Sequence, residues 1–149
     1  MSEHRSQLSW QRKEHPEDNT TFCRNHTLTL NGGQVINASS AASFLGDAQA
    51  SDPEQLLVAA VSSCHMLTFL AVADVKGFKV ESYQDDAVGY LTKAERGKVV
   101  SRIELNATVT FSGEKQPTEK ELDRLHDSAH RNCFIANSIK ADVEVMKKS

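Results

Sequence analysis

Residues 56–75 form an almost unbroken apolar stretch, and the four residues before it announce a helix. Asp52 is placed to accept from the first-turn amides as N-cap. Pro53 has the fixed φ and missing N–H that suit the first helical position, and Gln55 closes a capping box. The pattern predicts a helix to about Lys76, with Gly77 as its C-terminal stop. About 20 apolar residues would span a bilayer. Yet Ser62, Ser63, Cys64, His65 and Thr68 lie at the centre, and no basic cluster flanks the segment. The reading is therefore a core helix, apolar nearly all round, that protein must surround on every side.

The rest of the chain supplies what would surround it. Residues 7–13 read as a first strand around Trp10, the only tryptophan. Residues 26–30 and 34–37 flank Asn31-Gly32-Gly33, a strong hairpin signal. Residues 38–51 read as a loop. Residues 79–91 are expected to form one strand, irregular near Asp85 and Asp86. Residues 99–111 are expected to form another, alternating at Ile103, Leu105, Ala107, Val109 and Phe111. Thr118 to Glu121 is a second capping box, opening a helix to about Arg131 with Leu122, Leu125 and Ala129 on one face. Ala141, Val143 and Val145 alternate in a last strand. The fold class is α+β, with antiparallel sheets and one long buried helix, in a single domain over 1–149.

Charge and cysteine content narrow the function classes. The formal net charge is -3, and the basic residues are scattered, which argues against nucleic acid as partner. Cysteines occur at 23, 64 and 133, an odd count at wide spacing, unlike a secreted disulfide framework. The first residues lack the apolar core of a signal peptide. A reducing cytoplasm is the expected compartment, where a cysteine is either a buried structural thiol or a reactive one.

Cys64 lies mid-helix beside His65, and taken alone it would be a small core hydrophobe. Its context points elsewhere. The run Asp52-Pro53-Glu54-Gln55-Leu56-Leu57, then Ala59-Ala60, then Ser63-Cys64, resembles the central-helix motif of the OsmC/Ohr family of organic hydroperoxide reductases. Cys133, in Asn132-Cys133-Phe134-Ile135-Ala136-Asn137, resembles that family's second cysteine, which follows a later helix. The resemblance covers about residues 10–146. It implies an intertwined homodimer with antiparallel sheets wrapped around long buried central helices. It also implies that Cys64 attacks a peroxide oxygen and becomes a sulfenic acid, and that Cys133 resolves it to a disulfide. A dithiol, often a protein-bound lipoyl group in the family, would restore both thiols, and no cofactor is called for. Glu54 matches the family glutamate that holds a thiolate-activating arginine. For that arginine Arg24 is the first candidate and Arg131, two residues before Cys133, the second.

Ten residues separate Glu54 from Cys64, about 15 Å along a helix. One helix cannot bring them together, whereas two packed antiparallel in a two-fold dimer can. Met66, Phe69, Phe134 and Ile135 are candidates for an apolar pocket that would favour bulky alkyl hydroperoxides, although at least half of them suit plain core. Two other readings compete. His126, His130 and Cys133 have the spacing of a metal site. Alternatively, the cysteines, with Cys23 beside Arg24, could serve a redox sensor without fast turnover.

Overall fold

The structure, a computed structural model, describes residues 1–147. The chain divides into two compact units, Met1–Leu56 and Leu57–Ser149.

The first unit is a three-stranded antiparallel sheet in the order β1 (Gln7–Ser9), β2 (His26–Thr29), β3 (Val35–Ala38). The predicted hairpin is present. Gly32 and Gly33 both take positive φ, 69° and 73°, in its turn, where a Cβ would be strained. The first strand ends sooner than its sequence suggests. Trp10 leaves the ladder and donates its indole N–H to the Cys23 carbonyl at 2.9 Å, with Phe22 edge-on to its ring. Residues 38–51 form a loop with a single 3-10 turn, Ala42–Phe44. Buried Ser39 secures it by accepting from the Asp47 amide at 3.1 Å.

The long helix α1 (Pro53–Val75) starts where its capping box predicts. The Asp52 amide donates to Gln55 Oε1 at 3.1 Å, and the Gln55 amide donates to Asp52 Oδ1 at 2.8 Å. At the other end Gly77 takes φ 80°. Its amide donates to the Asp74 carbonyl, and that of Phe78 to the Ala73 carbonyl, at 3.0 and 2.9 Å. That pair of bonds is a Schellman stop, and it satisfies carbonyls the helix would otherwise leave open.

Beyond α1 come β4 (Lys79–Asp85), β5 (Val88–Lys93), β6 (Lys98–Leu105), β7 (Ala107–Ser112), α2 (Glu119–Asn132) and β8 (Asp142–Val145). Two long strands were expected over residues 79–91 and 99–111, but each is broken in two. The breaks face one another. Asp85 Oδ1 accepts from the Asn106 amide at 2.6 Å, and the Asn106 side chain donates to the Asp86 carbonyl at 2.8 Å. Asp85 Oδ2 accepts from Ser62 Oγ of α1 at 2.5 Å. These polar residues take the hydrogen bonds a continuous ladder would have used. The hairpin therefore splits into a two-stranded sheet, β4-β7, and a three-stranded one, β5-β6-β8. The last strand, β8, joins β6 in parallel, the one parallel pair among the named strands.

Two apolar clusters fill the second unit. Phe69, Ala73, Phe78, Leu125 and Ala129 join α1 to α2 and the β4-β7 sheet. Val61, Ile103 and Leu105 form the other under β5-β6-β8. Helix α1 is long and apolar enough by length and composition to cross a membrane. Its residues Val61, His65, Phe69 and Ala73, four apart, are buried in these clusters. Within one chain the described residues cover α1 mainly on one side. The opposite row, Ala59, Ser63, Leu67, Ala71 and Val75, is exposed. One small sheet pair and one short helix cover only one face of so long an apolar rod.

Candidate active site

Helix α1 carries Cys64 one residue before the buried row, so its side chain is half-buried at the edge of the core. Cys133 is fully buried at the C-cap of α2. The capping box of α2 is formed as the sequence predicts, with Glu121 N–H donating to Thr118 Oγ1 at 3.1 Å and Thr118 N–H to Glu121 Oε1 at 3.1 Å. The chain then turns sharply. Asn137 N–H donates to the Cys133 carbonyl at 3.0 Å, which leaves the amides of Phe134, Ile135 and Ala136 as first-turn donors with no carbonyl before them. The sulfurs take them. Ala136 N–H donates to Cys133 Sγ at 3.4 Å, so Cys133 caps the turn with its own thiol.

Cys64 of α1 faces the same turn, and each thiol shifts the titration of the other. Burial pushes the Cys64 thiol up, but the Ile135 amide, the Cys133 thiol, the Phe134 amide and the Thr68 hydroxyl outweigh it and hold Cys64 below the usual thiol range. Cys133 moves the opposite way. Burial pushes it up, the Ala136 amide opposes, and the neighbouring Cys64 adds to the rise. The pair is thus differentiated: one thiol favours the anion, and its neighbour keeps its proton. The sequence carried no sign of this amide donor set, because it arises from a tertiary approach of α1 to the turn after α2.

The remaining candidate residues are spread more widely. Glu54 sits half-buried in the first turn of α1 and makes no hydrogen bond or ion pair among the described residues. Arg24 belongs to the loop before β2, where its guanidinium donates to Thr21 Oγ1 at 3.0 Å and to the Phe22 carbonyl, and lies over the Phe22 ring at 3.9 Å. Among the described residues Arg24 and Glu54 make no ion pair with one another. Arg131 is exposed on α2. Cys23 is a free, half-buried thiol whose backbone is tied to Lys13 and Trp10. Of the proposed pocket residues, Phe69 is core, and Ile135 packs beside Val61, Ile103 and Leu105. Met66 is half-buried and Phe134 is 80% exposed.

The metal reading meets a geometric obstacle. His126 turns inward to His65, His130 is exposed, and Cys133 faces Cys64. Among the described residues no group of three or more His, Cys, Asp or Glu is arranged to hold a metal ion.

Residues 46–146 match the family model of OsmC-like proteins. The chain belongs to the OsmC family. An OsmC-like protein of unknown function from Vibrio cholerae is 41% identical, with a TM-score of 0.90 over 98% of this chain and 99% of that one. An organic hydroperoxide resistance protein from Legionella pneumophila shares the fold at 19% identity, with a TM-score of 0.74 over 99% and 98% of the two chains. An uncharacterized Bacillus subtilis protein, YmaD, is 22% identical over 124 residues, which is 82% of this chain and 83% of that protein.

Proposed function

We propose that this OsmC protein is a two-cysteine peroxidase for organic hydroperoxides. The observation that carries the reading is the contact between Cys64 and Cys133, with the first thiol pushed down and the second pushed up. A Cys64 thiolate attacks the outer oxygen of ROOH. The O–O bond breaks, ROH leaves with a proton, and Cys64 becomes a sulfenic acid. Cys133 then attacks the Cys64 sulfur, water departs, and a disulfide forms between two side chains that are already neighbours. A dithiol reductant, a protein-bound lipoyl group being the family precedent, exchanges with the disulfide and returns both thiols. The need to keep three free thiols reduced favours a cytoplasmic setting.

The same reading assigns Glu54 and Arg24 to a site completed by a second copy. Glu54 makes no side-chain hydrogen bond or ion pair among the described residues. Arg24 lies on an open apolar patch with Leu8, Trp10, Phe22 and His26. The exposed apolar row of α1 offers a two-fold contact that would bring one chain's Glu54 end towards its partner's Cys64. The test is consumption of cumene hydroperoxide with dihydrolipoamide as reductant. Wild type should turn over, and Cys64→Ser should lose activity by at least about 10³-fold, the scale of losing a nucleophile. Cys133→Ser should complete a single turnover and then stall. Full activity in Cys64→Ser, or none in wild type, would refute the assignment.

A further inference from the structure

Beside the two cysteines lies a buried pair of imidazoles that the peroxide chemistry does not use. His65 Nε2 and His126 Nδ1 are 3.0 Å apart, with the rings stacked at 5.3 Å and 10°. His65 is 1% exposed and His126 9%. Phe69 closes over His126 at 4.6 Å. Among the described residues this is the one side-chain hydrogen bond between α1 and α2. Their other contacts are apolar, through Phe69, Ala73, Leu125 and Ala129.

Placement gives the pair its significance. His65 follows Cys64 directly on α1. His126 is seven residues before Cys133, two turns and about 10 Å along α2, on nearly the same face. Apolar packing is non-directional and tolerates rotation of one helix on another. A buried hydrogen bond does not. The pair also carries a cost, since His65 Nδ1 is buried with no hydrogen-bond partner among the described residues, where a leucine would leave nothing unsatisfied. We propose that His65 and His126 are positioning residues that lock the rotation of α1 against α2, and so hold Cys64 within reach of Cys133. The inference deepens the two-cysteine reading above and rests on it.

Burial favours one placement of the protons. A buried bare nitrogen is tolerated more readily than a buried orphan N–H. His65 therefore keeps Nδ1 unprotonated and donates from Nε2 to His126 Nδ1, and His126 carries its proton on Nε2. The charged and titratable groups around the pair are His130, Asp123 and Asp127 on α2, with Asp85 and Tyr83 on β4. Burial, first, and then the charges of the other histidines hold His65 down to about 4. Burial lowers His126 too, against the pull of Asp123, Asp127 and Asp85.

The test reads ring closure without any peroxide, in the full chain carrying Cys23→Ser. Attack of Cys64 on 4,4′-dithiodipyridine gives a mixed disulfide and one thiopyridone. Attack of Cys133 on the Cys64 sulfur then forms the disulfide and expels the second. The rate of the second release reports how well the sulfurs are held, and it is measurable whether or not the protein reduces hydroperoxides. His126→Leu should slow the second release about tenfold or more, and leave the first within about twofold. His126→Asn, which restores an acceptor near the Nδ1 position, should recover most of the loss. Wild-type closure in folded His126→Leu, or equal slowing in the Leu and Asn variants, would overturn the proposal. If the Leu variant does not fold, ¹⁵N imidazole spectra of the unmodified protein decide. The expected signature is His65 with a bare Nδ1 and protonated Nε2, unchanged down to about pH 5. An ordinary titration near pH 6.5 would equally refute it.

Discussion

A histidine that stays neutral in the core makes stability depend on pH, with a sign that can be worked out. His65 is held down to about 4, against about 6.5 in an unfolded chain. Between those values the unfolded state binds more protons, so stability rises with pH. The contribution is full above about pH 6.5 and is lost as pH falls towards 4. It amounts to about 3 kcal/mol for a shift of this size. Urea unfolding at pH 7 and pH 4.5 should show that loss in wild type and a smaller one in His65→Gln. Equal losses would mean that carboxylates, not this imidazole, dominate the acid limb. The sequence placed His65 next to Cys64 but gave no hint of His126 as its partner, since the two are 61 residues apart. Asp85 is a similar case. The sequence marked it as an irregularity, whereas its role as acceptor for both Ser62 and Asn106 required the third dimension.

Among the elements, those with local signals came through best. Both helices begin at their capping boxes, because a cap is a contact between residues three apart. Thr118→Ala should therefore cost about 1 kcal/mol in a denaturant melt while leaving the thiols' reactivity unchanged. The strands fared differently. The alternation across Asn106 continues without a break in sequence, yet β6 ends at Leu105 and β7 starts at Ala107. Side-chain alternation reports which residues face a core, not which sheet they belong to. Gly89 on β5 carries a second message of this kind. A Cβ there would lie 2.4 Å from Val58 Cγ2 of α1, so the glycine lets the sheet close on the helix. Gly89→Ala should destabilise by about 1–3 kcal/mol through overpacking, as read from the urea midpoint. An unchanged midpoint would show that Val58 can move aside at little cost.

For the whole molecule, the decisive feature is the uncovered face of α1. Leu67 is 59% exposed and Val75 85%, in line with Ala59, Ser63 and Ala71. The small residues in that row would let a second helix approach closely. Sedimentation equilibrium should give a dimer for the wild type at micromolar concentration. Leu67→Arg should shift it towards monomer and lower peroxidase activity in step, since the Glu54 and Arg24 contribution would be lost with the partner. A monomeric wild type with full activity would remove the need for a shared site. The apolarity of α1 was legible in the sequence. Which row the chain buries most deeply, that through Val61, His65, Phe69 and Ala73, was decided by the tertiary structure.

The sequence by itself determined what is local or compositional: two capped helices, a glycine hairpin, a long apolar rod and two cysteines in contexts that resemble one family. Each of these is written within a few consecutive residues, or within the period of a helix or strand. Only the tertiary structure decided what depends on distant residues meeting. It set Cys64 of α1 against the turn at Cys133, whose amides favour the Cys64 anion. It paired His65 with His126 in the buried layer between α1 and α2. It also split one long hairpin between two sheets through Asp85 and Asn106. Those contacts join positions tens of residues apart. Their energies come from burial and from directional bonds between elements, which no local pattern encodes.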